Sequence, residues 1–294
     1  MRIVYIGCVK SSYRELQLLI DNKKDVVGVI TKESSSFNSD FCDISSLAYE
    51  NGIPSFYAKN INDSDCISFI RQLCPDVIYC FGWSQLIKKE ILEIPRYGVI
   101  GTHPTELPLN RGRHPIIWAL AMGLEKTAAS FFKMDESADT GEIIAQEIIP
   151  IKYEDYAIDL YNRIEDVECR LILQFTEELE QGVCKSISQN GFEGNSWRKR
   201  SRLDGIIDWR MSSRAIYNLV RALSYPYPGA EFEYRGKAIS VWKAKEIITS
   251  DYSNIEPGKV IKVINDHELI VKAYDNLVHV MECTPFSICE GEYL

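Results

Sequence analysis

The feature that most constrains this chain is the alternation, over its first 150 residues, of short β-branched runs with amphipathic helical stretches. Residues 3–7, 26–31, 77–81 and 99–102 read as strands, and 13–20, 44–50 and 67–73 carry apolar residues at helical spacing. Parallel neighbours need a crossover long enough to hold a helix, so this rhythm predicts a mainly parallel sheet covered on both faces. Ligands of such sheets sit at the carboxyl ends of the strands.

Two further apolar segments, 130–134 and 143–151, continue the sheet, and 156–179 reads as a long helix that closes it. The stretch 181–195 is rich in Gly, Ser and Asn and reads as a linker. Beyond it, 212–223 is helical, while 230–234, 238–247, 258–264, 268–273 and 278–282 are short, closely spaced strands that suggest a small β-barrel. The expected architecture is α/β, a Rossmann-like sheet over residues 1–185, a linker over 186–204, and a C-terminal β-barrel-like domain over 205–294. A chain of 294 residues has material for one large core and a second small one.

No stretch approaches the roughly 20 uninterrupted apolar residues of a membrane helix, and the opening MRIVYIGC lacks the parts of a signal peptide. A cytoplasmic protein without membrane partners is expected. The nine cysteines form no CxxC pair and show no ligand spacing with the four histidines, so reduced core thiols are expected and no metal. Residues 1–194 hold 19 Lys and Arg against 29 Asp and Glu, and 195–294 hold 14 against 13. That acidic balance disfavours nucleic acid as a partner. One basic run, WRKRSR at 197–202, stands out and fits either a phosphate or pyrophosphate site or a solvated loop.

Chemistry concentrates in two loops. In GVIGTHPTELPLNRGRHP (98–115) a strand runs into a polar loop, and His103 stands before Pro104, which biases it to extended backbone. In FKMDESADTGEII (132–144) another strand runs into an acidic loop that ends on Asp139. Leaving the same edge of a parallel sheet, the two loops would let the Asp139 carboxylate orient the His103 imidazole and stabilise its cation. His-Pro and Asp-Thr-Gly also serve simply as turns.

GTHPTELPLNRGRHPIIWALAMG followed by TAASFFKMDESADTGEIIAQ resembles the signature of the 10-formyltetrahydrofolate-dependent formyltransferases. That group includes methionyl-tRNA, glycinamide ribonucleotide and sugar N-formyltransferases. IDWRMSSRAIYNLVRALSYPYPGAEFEYRGKAISVWKA (207–244) looks like the start of the C-terminal domain of its two-domain members. The resemblance implies the formyltransferase fold and 10-formyltetrahydrofolate as formyl donor. It implies that an acceptor amine attacks the formyl carbon while His103 takes the amine proton and helps hold the oxyanion. Asp139 would fix the His103 tautomer and assist the leaving nitrogen.

The family usually places an asparagine two residues before that histidine, as an oxyanion donor, and here the residue is Gly101. Loss of such a donor costs about 2.7–4 kcal/mol of transition-state stabilisation, so another group is expected to substitute. Asn110 is the candidate, with main-chain NH groups of 101–103 as the alternative. A non-catalytic folate or nucleotide-sugar binding protein is the competing class.

By the same resemblance the pterin pocket maps to Phe81, Gly82, Trp83 and Leu86 and to Met134 and Asp135, with ordinary core packing an equal account of Trp83. The NRGRHP loop and the basic run are most similar to the nucleotide-sugar N-formyltransferases. The implied acceptor is therefore an NDP-amino deoxysugar for bacterial surface glycans such as lipopolysaccharide O-antigen, with methionyl-tRNA as the alternative. Lys10, Ser11 and Ser12, taken as a loop after the first strand, with Arg111, Arg113 and Arg198, are candidates for the sugar or its pyrophosphate. A homodimer is left open.

Overall fold

A computed structural model describes residues 1–35 and 40–294. In chain order it holds β1 (Ile3–Ile6), α1 (Lys10–Asp21), β2 (Val26–Thr31), α2 (Ser45–Glu50), β3 (Ser55–Tyr57), α3 (Ser64–Leu73), β4 (Val77–Cys80), α4 (Lys89–Leu92) and β5 (Val99–His103). There follow β6 (Arg111–Gly112), α5 (Pro115–Ala121), β7 (Lys126–Lys133), β8 (Ile143–Pro150), α6 (Ala157–Glu180) and β9 (Ser196–Trp197). After a 3-10 turn at Arg202–Gly205 come α7 (Ser213–Leu223), β10 (Ala230–Tyr234), β11 (Lys237–Ile247), β12 (Val260–Asn265), β13 (Glu268–Lys272) and β14 (Leu277–Cys283).

The chain divides into two compact units. One comprises Met1–Gly112, Ala128–Ile149 and Arg163–Trp197; the other comprises Arg113–Thr127, Pro150–Asn162 and Arg198–Leu294.

The first unit is built on a seven-stranded sheet in the order β3-β2-β1-β4-β5-β7-β8, and the pairs from β3 through β5 are parallel. The central strands IVYI and VIYC are buried at every position, which is why they read as continuous apolar runs rather than alternating ones. One face carries an aromatic core in which Tyr79, Phe81, Phe131 and Phe175 of α6 meet in edge and stacked contacts with centroids 4.9–5.5 Å apart. The opposite face packs aliphatic residues of β1, β2 and β4 on α3 and α4, with Trp83 and Met134 at its margin.

β7 departs from the parallel pattern. It runs antiparallel to β5, with Lys133 opposite Ile100 and Ser130 opposite His103. The acidic loop therefore leaves β7 beside the start of β5, three residues before His103, and not from a shared carboxyl edge. Asp139 reaches His103 because the loop folds back. The periodicity also passes over β3, α4 and α5, which have three, four and seven residues. Elements that short carry too few positions for a period to register.

In the second unit the five expected C-terminal strands form one antiparallel sheet in the order β10-β11-β14-β13-β12. α7 packs against β11 and α5. Ser212 caps its first turn, the side chain accepting from the Ala215 N–H at 3.1 Å. The Arg221 guanidinium is buried, and the structure satisfies it without a carboxylate. Nη1 donates to the carbonyls of Lys152 and Asp155 at 3.0 and 3.1 Å, and Nε donates to Asn218 Oδ1 at 2.9 Å.

Candidate active site

His103 ends β5 with its ring buried. Nε2 lies 3.0 Å from the main-chain oxygen of Asn110, and Nδ1 lies 3.8 Å from Asp139 Oδ2. A carbonyl oxygen only accepts, so its partner assigns the ring proton to Nε2. Nδ1 of the neutral ring is then a lone-pair nitrogen facing a carboxylate across a gap too long for a direct hydrogen bond. Such an arrangement can act chemically as a base beside an anion, the Asp139 carboxylate lying where a proton taken up at Nδ1 would place positive charge.

The Asp139 carboxylate is aimed by the loop before β6. Its Oδ2 accepts from the Gly112 N–H at 2.9 Å, and its main-chain oxygen accepts from Gln189 Nε2 at 3.0 Å. Gly112 is required here. It has φ +104°, and a Cβ would stand 2.2 Å from the Trp197 carbonyl oxygen.

Asn110 reaches His103 through its main-chain carbonyl. It holds a left-handed conformation with φ 62°. Two residues absent from the sequence reading hold this loop. Asn195 accepts from the N–H of Asn110 at 2.8 Å through Oδ1 and from the N–H of Arg111 at 3.0 Å through its main-chain oxygen. Buried Gln189 takes two guanidinium N–H groups of Arg111 on Oε1, at 2.6 and 3.2 Å, and donates to the carbonyl of Gly141 at 2.7 Å. Both lie in the stretch whose composition reads as a linker. Nothing in a polar segment signals a partner 78 or 85 residues away.

The residues expected at the donor pocket divide. The Phe81 ring lies wholly in the aromatic core, so only its main chain faces the loop, where its carbonyl accepts from Ser12 Oγ at 2.8 Å. Gly82 has φ +70°, and a Cβ there would meet Val9 Cγ2 at 2.2 Å. Trp83 packs on the same aliphatic core as Met134, Lys32 Nζ stands 4.6 Å from its ring centroid, and its indole nitrogen is buried with no partner among the described residues. Leu86 is exposed. Asp135 is turned inward on its own loop, accepting from Ser137 N at 2.8 Å and from Thr140 Oγ1 at 2.7 Å.

The acceptor candidates change more. Lys10, Ser11 and Ser12 form the first turn of α1 rather than a loop. Lys10 is exposed and Ser11 half-buried, but Ser12 is fully buried with its hydroxyl on the Phe81 carbonyl, so packing withdraws it from any ligand. In the second unit Arg113 is exposed. Arg198 forks onto both carboxylate oxygens of Asp204 and stacks over Trp118 at 5.3 Å, while the Trp118 indole donates to the Arg198 carbonyl at 3.1 Å. That pairing holds the Asp204 carboxyl well below its usual range. Burial and the neighbouring cations Arg200, Arg113 and Lys199 push the His114 imidazole down.

The family model "Formyl transferase" matches residues 3–176, and "Formyl transferase, C-terminal domain" matches 200–286. The chain belongs to the formyl transferase family. The methionyl-tRNA formyltransferase of Pelotomaculum thermopropionicum is 30% identical over 265 residues, covering 89% of this chain and 84% of that relative. Among solved structures, the sugar 3N-formyl transferase WlaRD, determined in the presence of dTDP and 5-N-formyl-THF, superposes with TM-score 0.71 at 17% identity, covering 96% of this chain and 97% of that one. The Helicobacter canadensis N-formyltransferase in complex with folinic acid and dTDP-3-aminofucose gives TM-score 0.71 at 16% identity, covering 95% and 98%. These two likenesses establish the formyl transferase fold with its C-terminal antiparallel sheet. The enzyme is a formyltransferase. Among the described residues no helix is long and apolar enough to cross a membrane, and no cluster of His, Cys, Asp or Glu is placed to hold a metal.

Proposed function

We propose that this enzyme transfers a formyl group from 10-formyltetrahydrofolate to the amine of a nucleotide-linked amino deoxysugar. The observation that carries the choice of acceptor is the pairing of five of the second unit's eight arginines with carboxylates. Arg198 pairs with Asp204, Arg202 with Glu231, Arg210 with Asp208, Arg214 with Glu246 and Arg235 with Glu292. A tRNA body presents many phosphates, and binding it needs cations that are free to release counterions. A net charge of −9 adds to the mismatch. A sugar nucleotide brings only a pyrophosphate, for which exposed Lys10 and the loop residue Arg111 suffice within the first unit. Methionyl-tRNA is the second reading, favoured by the 30% identical relative.

The donor supplies the activated formyl carbon. The loop of residues 81–86 fits a flat ring with a polar edge in one specific respect: the buried indole N–H of Trp83 lacks an acceptor, which is rare for a buried donor and suits a group that brings one. Met134 would line the same slot. In the proposed reaction the acceptor amine attacks the formyl carbon, His103 Nδ1 receives the amine proton while Asp139 stabilises the cation, and the tetrahedral adduct collapses by breaking its bond to the folate nitrogen, which leaves with that proton. Offering 10-formyltetrahydrofolate with a panel of dTDP-, UDP- and GDP-amino sugars and with charged methionyl-tRNA tests this, read as the mass gain of one formyl group. Gain on a sugar nucleotide supports the proposal, gain on tRNA alone moves the acceptor to the second reading, and binding without gain on any acceptor makes the chain a non-catalytic binding protein.

A further inference from the structure

The segment that composition marks as a linker is bonded to the loop before the catalytic pair. β6 pairs in parallel with β9, Arg111 opposite Ser196 and Gly112 opposite Trp197, and Asn195 stands at the head of that bridge. Asn195 grips Asn110 from both sides. Its Oδ1 takes the Asn110 N–H at 2.8 Å, and its carbonyl takes the Arg111 N–H at 3.0 Å. The second bond fixes the plane of the peptide joining 110 and 111. In a planar trans peptide the C=O and N–H point in opposite directions, so anchoring the Arg111 N–H on Asn195 sends the Asn110 carbonyl the other way, where it meets His103 Nε2 at 3.0 Å. The first bond holds Asn110 at φ 62°, a left-handed conformation that asparagine adopts more readily than most other non-glycine residues.

We infer that Asn195 is a positioning residue that sets the protonation geometry of His103. Its side chain, by holding the Asn110 N–H and so the backbone of Asn110, keeps that residue's carbonyl on Nε2, so that the single ring proton of the neutral imidazole stays there and the Nδ1 lone pair faces Asp139. Without that aim the Asp139 carboxylate, 3.8 Å from Nδ1, draws the proton to Nδ1, and the basic lone pair moves to Nε2. This rests on the reading of His103 as the base of formyl transfer. Asn195 is exposed, so a change there acts on the loop and not on a core.

Asn195→Leu removes the Oδ1 acceptor at similar size, and Asn195→Asp keeps one; Asn195→Ala replaces the leucine variant if it melts early. Each is measured for kcat and acceptor KM with the acceptor found above, and by ¹⁵N NMR of the His103 ring, which needs no acceptor. The expected result is a fall in kcat of about 10- to 100-fold for the leucine variant, the range in which small misplacements act. Its KM stays within about twofold, the Nδ1–H tautomer gains population, and both readouts recover in the aspartate variant. Wild-type kcat and tautomer in Asn195→Leu would overturn the inference, as would equal losses in the leucine and aspartate variants or a slow leucine variant with an unchanged tautomer. A His103→Ala enzyme that still transfers formyl at the wild-type rate would sink the underlying reading instead, and the NMR arm would still decide the positioning.

Discussion

A side chain on Gly101 would enter space that Met134 already fills: an added Cβ would lie 3.0 Å from Met134 Cγ, 3.2 Å from its Sδ and 3.2 Å from Phe132 Cζ. Glycine at the place where the family resemblance expects an asparagine amide is thus coupled to a thioether that occupies the vacated volume. Gly101→Asn alone should destabilise by about 1–3 kcal/mol through overpacking and should not raise kcat. Paired with Met134→Ala it should recover stability and gain turnover. Thermal melts and initial rates of the two variants check this, and a single Gly101→Asn enzyme faster than wild type would contradict it.

Beneath β5 lies a buried carboxyl pair. Glu15 accepts from the Tyr5 hydroxyl at 2.7 Å and leaves Oε1 without a partner, while Glu168 accepts from Thr102 Oγ1 at 2.6 Å. Burial pushes the Glu168 carboxyl from 4.5 up to about 7, against the lowering effect of the Thr102 hydrogen bond. The folded state therefore binds more protons than the unfolded one between those values. Its contribution is fully present below pH 4.5 and lost as pH rises through 7. Glu168→Gln should abolish that part of the slope, on the order of 3 kcal/mol across the window, in denaturant titrations compared with wild type at pH 4.5 and 8. Parallel stability curves for the two proteins would refute the assignment.

Gln189 bonds the Arg111 side chain and the carbonyls of Asp139 and Gly141 at once. Gln189→Ala should cost about 1–3 kcal/mol of stability by leaving buried groups unpaired, and should lower kcat more than it raises KM, because it frees the loop that carries Asp139. A variant that loses stability but keeps wild-type kcat would show that the loop is held elsewhere.

The paired arginines make a statement about salt. Binding of tRNA should show a shallow log–log dependence on salt, with a slope no steeper than about −1 to −2, since each neutralised phosphate contributes about 0.7–0.9. A slope of several units would mean that the ion pairs open for phosphates and would favour the tRNA reading.

How far the sequence carried these conclusions depended on the range of the interactions. β1 and β4 are buried on both faces and so announce themselves as apolar runs, and α6 and α7 repeat their pattern over enough turns to be read. The approach of Asp139 to His103 was legible because each follows an apolar strand into a polar loop. The reversed direction of β7 was not, since strand direction depends on what the strand pairs with and leaves no trace in its own residues. Ser12 looked like a loop hydroxyl because burial of a serine by a distant carbonyl has no local signature, and Gln189 and Asn195 were hidden for the same reason.

We expect His103 and Asp139 to act as one unit on the proton of the acceptor amine, and single-turnover formyl transfer by His103→Ala, Asp139→Ala and the double variant measures that coupling. Each single change should nearly abolish transfer with the fold intact by circular dichroism, and the double variant should be little slower than the slower single one, because groups that work together are lost together. Wild-type rates in either single variant, or a double variant slowed by the product of the two single losses, would contradict it.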